Sequence, residues 1–200
     1  MSQVLRDRRE KIANGAAIEF ADHTITELKY ISGGSRYFVA KVQKHGTWIY
    51  GFYVGILPGA IVVWGDCGEL LFSEVYEKRS SVGWLESALT SEGYLLSKLS
   101  LVCKDGGDEF VPDLAYEHLI GLSLSDDEHE RQVAEEIYAG WSGENSGEEW
   151  DMICYEEWGD SDFDRARDWK LGVLWIVEAL KVFVRLYRER AVENEKPSRK

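Results

Sequence analysis

The sequence predicts an α+β fold: an antiparallel sheet of about five strands in a meander, covered by helices, with a long buried helix near the C-terminal end. Three observations predict it. Up to Phe72 the chain consists of short apolar and aromatic runs broken by turn residues, which is the pattern of paired strands. Beyond Phe72 the apolar period lengthens to that of helices. From Arg165 to about Arg190 there is no proline, and the charged residues draw one narrow stripe along an otherwise apolar surface.

The sheet is organised around Trp48 to Phe72. Pro58-Gly59 forms the first turn, proline presetting φ near −65° and glycine taking the positive φ that a type II turn requires. Gly65-Asp66-Cys67-Gly68 forms the second. The flanking runs, Trp48 to Leu57, Ala60 to Trp64 and Glu69 to Phe72, are rich in Val, Ile, Phe, Tyr and Trp, and turns this short make them antiparallel. Two further strands precede them, Ala17 to Tyr30 and Arg36 to Lys44, separated by Ser32-Gly33-Gly34-Ser35. Residues 2–13 read as a surface helix, with Asn14-Gly15 as its stop.

In the second half, Trp84, Leu85, Ala88 and Leu89 share one helical face after the N-cap candidates Ser80-Ser81. Gly93 interrupts, and Tyr94, Leu95, Leu99 and Val102 continue as a second piece. Pro112-Asp113 opens another helix. Ser125 with Glu128 forms a capping box for a helix through Tyr138. Gly140 to Asp162 is expected as loop and short helix. In the last helix Glu178, Lys181, Arg185 and Arg188 form the polar stripe, and acids before it with bases in its last turns suit the helix dipole. One domain over residues 1–190 and a disordered tail over 191–200 complete the expected organisation.

Composition narrows the function classes. The start of the chain is charged and lacks an apolar leader, and no run reaches the ~18–20 apolar residues that span a bilayer. Cys67, Cys103 and Cys154 are an odd number without C-x-x-C spacing. A cytoplasmic protein without membrane contact is expected. The net charge is −13, and it is local: residues 105–164 hold 20 Asp and Glu against Arg131 alone, −19, whereas 1–104 carry +1 and 165–200 carry +5.

No catalytic residue, metal site or cofactor is expected. Walker, G-x-G-x-x-G and G-x-S-x-G patterns are absent, and His23, His45, His118 and His129 lack zinc spacing. Asp66 and Glu69 are the alternative, as a metal or acid/base pair of an enzyme or small-ligand binder. The simpler roles are a turn residue and a strand start. The acidic stretch is different because aromatics are interleaved with it. Its partner-binding candidates are Trp141, Glu144, Glu148, Glu149, Trp150, Asp151, Glu156, Glu157, Trp158, Asp160, Asp162 and Asp164. Tryptophans of this kind anchor interfaces, and carboxylates on a rigid surface imitate nucleic-acid phosphates toward a basic site. Nucleic acid itself would be repelled.

Three patches carry a resemblance. The first is Leu57-Pro58-Gly59 with Val63 to Phe72, including Gly65, Asp66, Gly68 and Glu69. The second is Trp84, Tyr94 and Lys98, with Ser97 where an acid is expected. The third is Leu174 to Leu180, including Trp175, and ends at Tyr187. Their order over residues 37–190 resembles an uncharacterised family of small bacteriophage- and prophage-encoded proteins. The resemblance supplies no catalytic residue. Together with the charge it implies an inhibitor of a bacterial defence system, anti-CRISPR-like or anti-restriction. Such a protein would act in the host cytoplasm on a basic surface of a host protein or nucleoprotein complex. A virion or host assembly partner is the other non-enzymatic expectation.

Overall fold

The computed structural model of the 200-residue chain describes residues 2–31, 36–73, 81–99, 108–140, 150 and 167–195. In chain order these residues form α1 (Gln3–Glu19), β1 (His23–Tyr30), β2 (Phe38–Lys44), β3 (Phe52–Leu57), β4 (Ala60–Gly65), β5 (Leu70–Phe72), α2 (Ser81–Ala88) and α3 (Glu92–Ser97). Then come β6 (Asp108–Phe110), α4 (Pro112–Ser123), α5 (Glu128–Gly140), β7 (Arg167–Trp169) and α6 (Leu171–Glu195). The α+β class with its five-stranded antiparallel sheet is as the sequence predicts. The chain divides into two compact units, Lys11–Asp105 with Leu171–Lys200 and Met1–Glu10 with Gly106–Lys170.

In the first unit the strands pair in sequence order, β1-β2-β3-β4-β5, every pair antiparallel. Register places Phe38, Ile56, Ile61 and Phe72 in one cross-strand row and Ala40, Val54, Val63 and Leu70 in another. All eight are buried, so one face of the sheet is the core. The expected turn at Pro58-Gly59 is present, with Gly59 at φ +69°. Gly65 is required more strictly. It stands at φ +144°, and a Cβ there would lie 2.5 Å from the Gly51 carbonyl oxygen.

Helix α6 covers that face. Val173, Leu174, Ile176, Val177, Ala179, Leu180, Phe183 and Val184 are buried, each burial contributing about 1–3 kcal/mol. Tyr187 stacks on Phe38 at 5.3 Å between centroids, and Trp175 meets Phe20 at 5.6 Å. Lys181, Arg185 and Arg188 remain exposed and Glu178 half-buried, so the polar stripe is where the sequence put it. Arg188 pairs with Glu86 of α2.

Several boundaries differ from the sequence reading. Helix α1 does not stop at Asn14-Gly15 but runs to Glu19. Gly15 lies beneath the Trp175 ring, and Ile12, Ala16 and Phe20 are buried, so packing outweighs the local stop signal. Strand β1 therefore begins at His23, not Ala17. Residues 48–51 are a turn rather than the start of a strand, with Tyr50 at φ +54°. Helix α3 ends at Ser97, and Leu99 bridges to Phe72 at the β5 edge. Residues 167–169 form a strand, so the last helix starts at Leu171. It continues to Glu195, into the expected tail, which leaves its bases short of the final turn and removes their dipole role.

The second unit holds the α4–α5 hairpin and the two-stranded β6–β7 ribbon. Pro112 sits in the first turn of α4, where its missing N–H costs nothing. The N-cap of α5 is Asp127, not Ser125. The Asp127 carboxylate accepts the His129 N–H at 2.8 Å, and Ser125 Oγ accepts the Asp127 N–H at 3.1 Å. Asp168 on β7 is buried and takes both Arg9 nitrogens at 2.6 and 2.7 Å. Arg8 Nε also lies 3.0 Å from Asp168, so the first turns of α1 are tied to this ribbon.

Candidate functional site

The acidic hairpin is built from its core outward. Ala115, Leu119 and Leu122 of α4 meet Val133, Ala134 and Ile137 of α5 around Trp150. These positions recur at threes and fours, the spacing that brings two helical faces together. With the inner faces filled, Asp113, Asp126, Asp127, Glu128, Glu135 and Glu136 are left exposed. Arg131 Nη1 donates to the Ser125 carbonyl oxygen at 2.7 Å, which braces the turn between the helices. The three consecutive acids Asp126 to Glu128 stand at the N-terminus of α5, where the helix dipole favours negative charge.

Trp150 is a correction. Expected as an exposed anchor for a partner, it is 0 % exposed and is the largest fully buried side chain among the described residues. An indole that fills the hairpin core cannot contact a partner in this conformation. Its burial contributes instead to fixing the acidic helices above it. Trp141, Glu144, Glu148, Glu149, Asp151, Glu156, Glu157, Trp158, Asp160, Asp162 and Asp164 lie outside the described residues.

The Asp66 region is a second candidate. Asp66, Cys67, Tyr50, Leu171, Gly172 and Trp175 line an open cleft of about 260 Å³. Thus the first and third patches, distant in sequence, come together here. Asp66 Oδ2 accepts the Tyr50 N–H at 2.9 Å, and the Asp66 N–H donates to the Gly51 carbonyl at 2.9 Å. These bonds hold the turn that keeps Tyr50 in the left-handed region. Glu69 is exposed just ahead of β5. Burial pushes the Cys67 thiol up to about 11, helped by the Asp66 charge and opposed by Trp175. A thiol held protonated is a poor nucleophile. Among the described residues no group of three or more His, Cys, Asp or Glu is placed to hold a metal ion.

The second patch also closes on itself. Trp84 lies 6.2 Å from Tyr94, and Lys98 Nζ stands 5.6 Å over the Tyr94 ring. The Lys98 carbonyl accepts the Ser73 N–H at 2.8 Å, beside β5. These residues fasten α3 to the sheet edge. A scan against family models, a search of curated proteins and a search of solved structures each found no match. Among the described residues no helix is long and apolar enough to cross a membrane.

Two features have no counterpart in the sequence reading. One is an apolar groove of about 460 Å³ between α4 and α5. Its signal was present as Tyr116, Ile120 and Leu124, an apolar stripe at steps of four, off the face formed by Leu114, His118 and Leu122. The other is His23, buried against Phe20 at 5.1 Å. Nothing local marks a histidine that opens a strand as a core residue.

Proposed function

We propose that the chain is a non-enzymatic binding protein that occupies a basic, nucleic-acid-binding surface on another protein. One observation carries this: exposed carboxylates on α4 and α5 are held over a packed core, within a stretch of −19 charge. Carboxylates on fixed helices substitute for phosphates in a site lined by Lys and Arg. Binding of that kind is fast and sensitive to salt. The same charge repels nucleic acid. The resemblance of the three patches to phage and prophage proteins supports a bacterial defence complex as the partner and the host cytoplasm as the place of action. Asp66 and Cys67 lend the alternative of chemistry at the cleft no support, since the carboxylate serves the turn and the thiol stays protonated.

The test is affinity capture from bacterial lysate with the wild-type chain and with a variant carrying Glu128, Glu135 and Glu136 changed to Lys. The wild type is expected to retain nucleic-acid-binding proteins at low salt, to release them at high salt and to displace their nucleic acid. The reversed variant should retain none of them. Retention of the same proteins by both chains overturns the assignment.

A further inference from the structure

We propose that the groove between α4 and α5 is a docking site for a basic amphipathic helix of the partner protein. The inference rests on the acidic unit being a binder of basic surfaces, and it adds the shape of the ligand. The groove lies along the hairpin, with Tyr116, Ile120 and Ser123 on one wall and Ala134, Glu135 and Ala139 on the other. Its volume of about 460 Å³ falls within the ~300–1,000 Å³ range of sites that enclose a ligand. Alanines on α5 opposite large side chains on α4 leave the space open.

The apolar surface beside it is unusual for an exposed helix. Ile120 is 59 % exposed and Leu124 78 %, with Tyr116 at 39 % one turn earlier. Steps of four place the three on one ridge, the pattern that receives apolar residues of a second helix spaced i, i+3, i+4 and i+7.

Charge selects the occupant. Glu135 stands on the wall itself, Asp113, Glu128 and Glu136 are exposed elsewhere on the same two helices, and their one guanidinium, Arg131, is turned onto the Ser125 carbonyl. A helix entering the groove therefore needs lysines or arginines beside its apolar ridge. Their stems lie on the apolar wall while their charges reach the carboxylates. A second copy docking through the same face would set these carboxylates against their own duplicates, and an anionic membrane or nucleic acid would be repelled equally.

The experiment titrates the full chain with a helical peptide of leucine and lysine, leucines at i, i+3, i+4 and i+7, by calorimetry at fixed salt. A peptide of the same composition with leucines spread around the helix is the control. The patterned peptide is expected to bind at least about tenfold more tightly than the control. Ile120→Ser, at an exposed position, should remove that advantage with the circular dichroism spectrum unchanged. Ala139→Trp, which fills the groove and alters no charge, should do the same. Equal affinity for both peptides, or binding indifferent to both substitutions, overturns the groove while leaving charge-driven capture of basic proteins intact. Absence of binding by either peptide overturns it too. So does a dimer, seen by light scattering, that Ile120→Ser dissolves. Loss of the acidic-surface reading shows separately, as lysate capture that survives charge reversal.

Discussion

His23 shows how far one side chain can carry a measurable property. It is 2 % exposed and packs edge-on against Phe20. Burial holds its pKa below the usual 6.5, and Lys44 acts in the same direction. The backbone of Tyr50 and Ile49, and Asp22, act in the opposite one. The unfolded chain therefore takes up a proton near pH 6.5 that the folded chain resists. Stability contributed by the neutral ring is complete above pH 6.5 and is lost as pH falls from there through the folded value. Between pH 7.5 and 5.5 the melting temperature is expected to drop, and His23→Gln should flatten that slope. Thermal melts at several pH values check it; an identical slope in the variant would show that other groups control it.

At the scale of elements, legibility followed the strength of the local pattern. The Pro58-Gly59 turn and the stripe of Lys181, Arg185 and Arg188 are written in residue chemistry and periodicity, and both stand where expected. Strands β6 and β7 have three residues each, too few for any period to register. The stop at Asn14-Gly15 was overridden because Trp175, far along the chain, covers Gly15. Tyr50 takes a glycine-like conformation because Asp66 holds its N–H, which no reading of residues 48–51 alone could supply. Of the candidate site, the charge of the hairpin was legible, but its groove was not, and the role of Trp150 was reversed. An aromatic among acids looks like surface until the Ala115, Leu119 and Ile137 cluster around it is known. The two roles separate cleanly in one variant. Trp150→Ala empties a fully buried site and should cost about 3–5 kcal/mol, whereas the same change on an exposed anchor costs little. Chemical denaturation followed by circular dichroism reads the difference, and a cost below about 1 kcal/mol would return Trp150 to the surface.

For the whole molecule, the uneven charge makes stability and binding respond to salt with opposite signs. The −19 of residues 105–164 is too dense to be neutral in its effect on folding, because the unfolded chain spreads the same carboxylates farther apart. Screening lengths fall from ~30 Å at 0.01 M to ~10 Å at 0.1 M salt, which removes repulsion between acids spaced beyond the nearest neighbours. Sodium chloride over that range should therefore stabilise the fold by about 1 kcal/mol, a rise of roughly 2–4 °C in melting temperature for a chain of this size. The attraction between the acidic unit and a basic partner is screened by the same ions, so affinity should fall over the same range. Changing Glu128, Glu135 and Glu136 to Gln removes charge from both processes at once. In that variant the salt dependence of melting and of binding should shrink together. A melting temperature that ignores salt, alongside binding that still weakens with it, would place the interacting charges away from these helices.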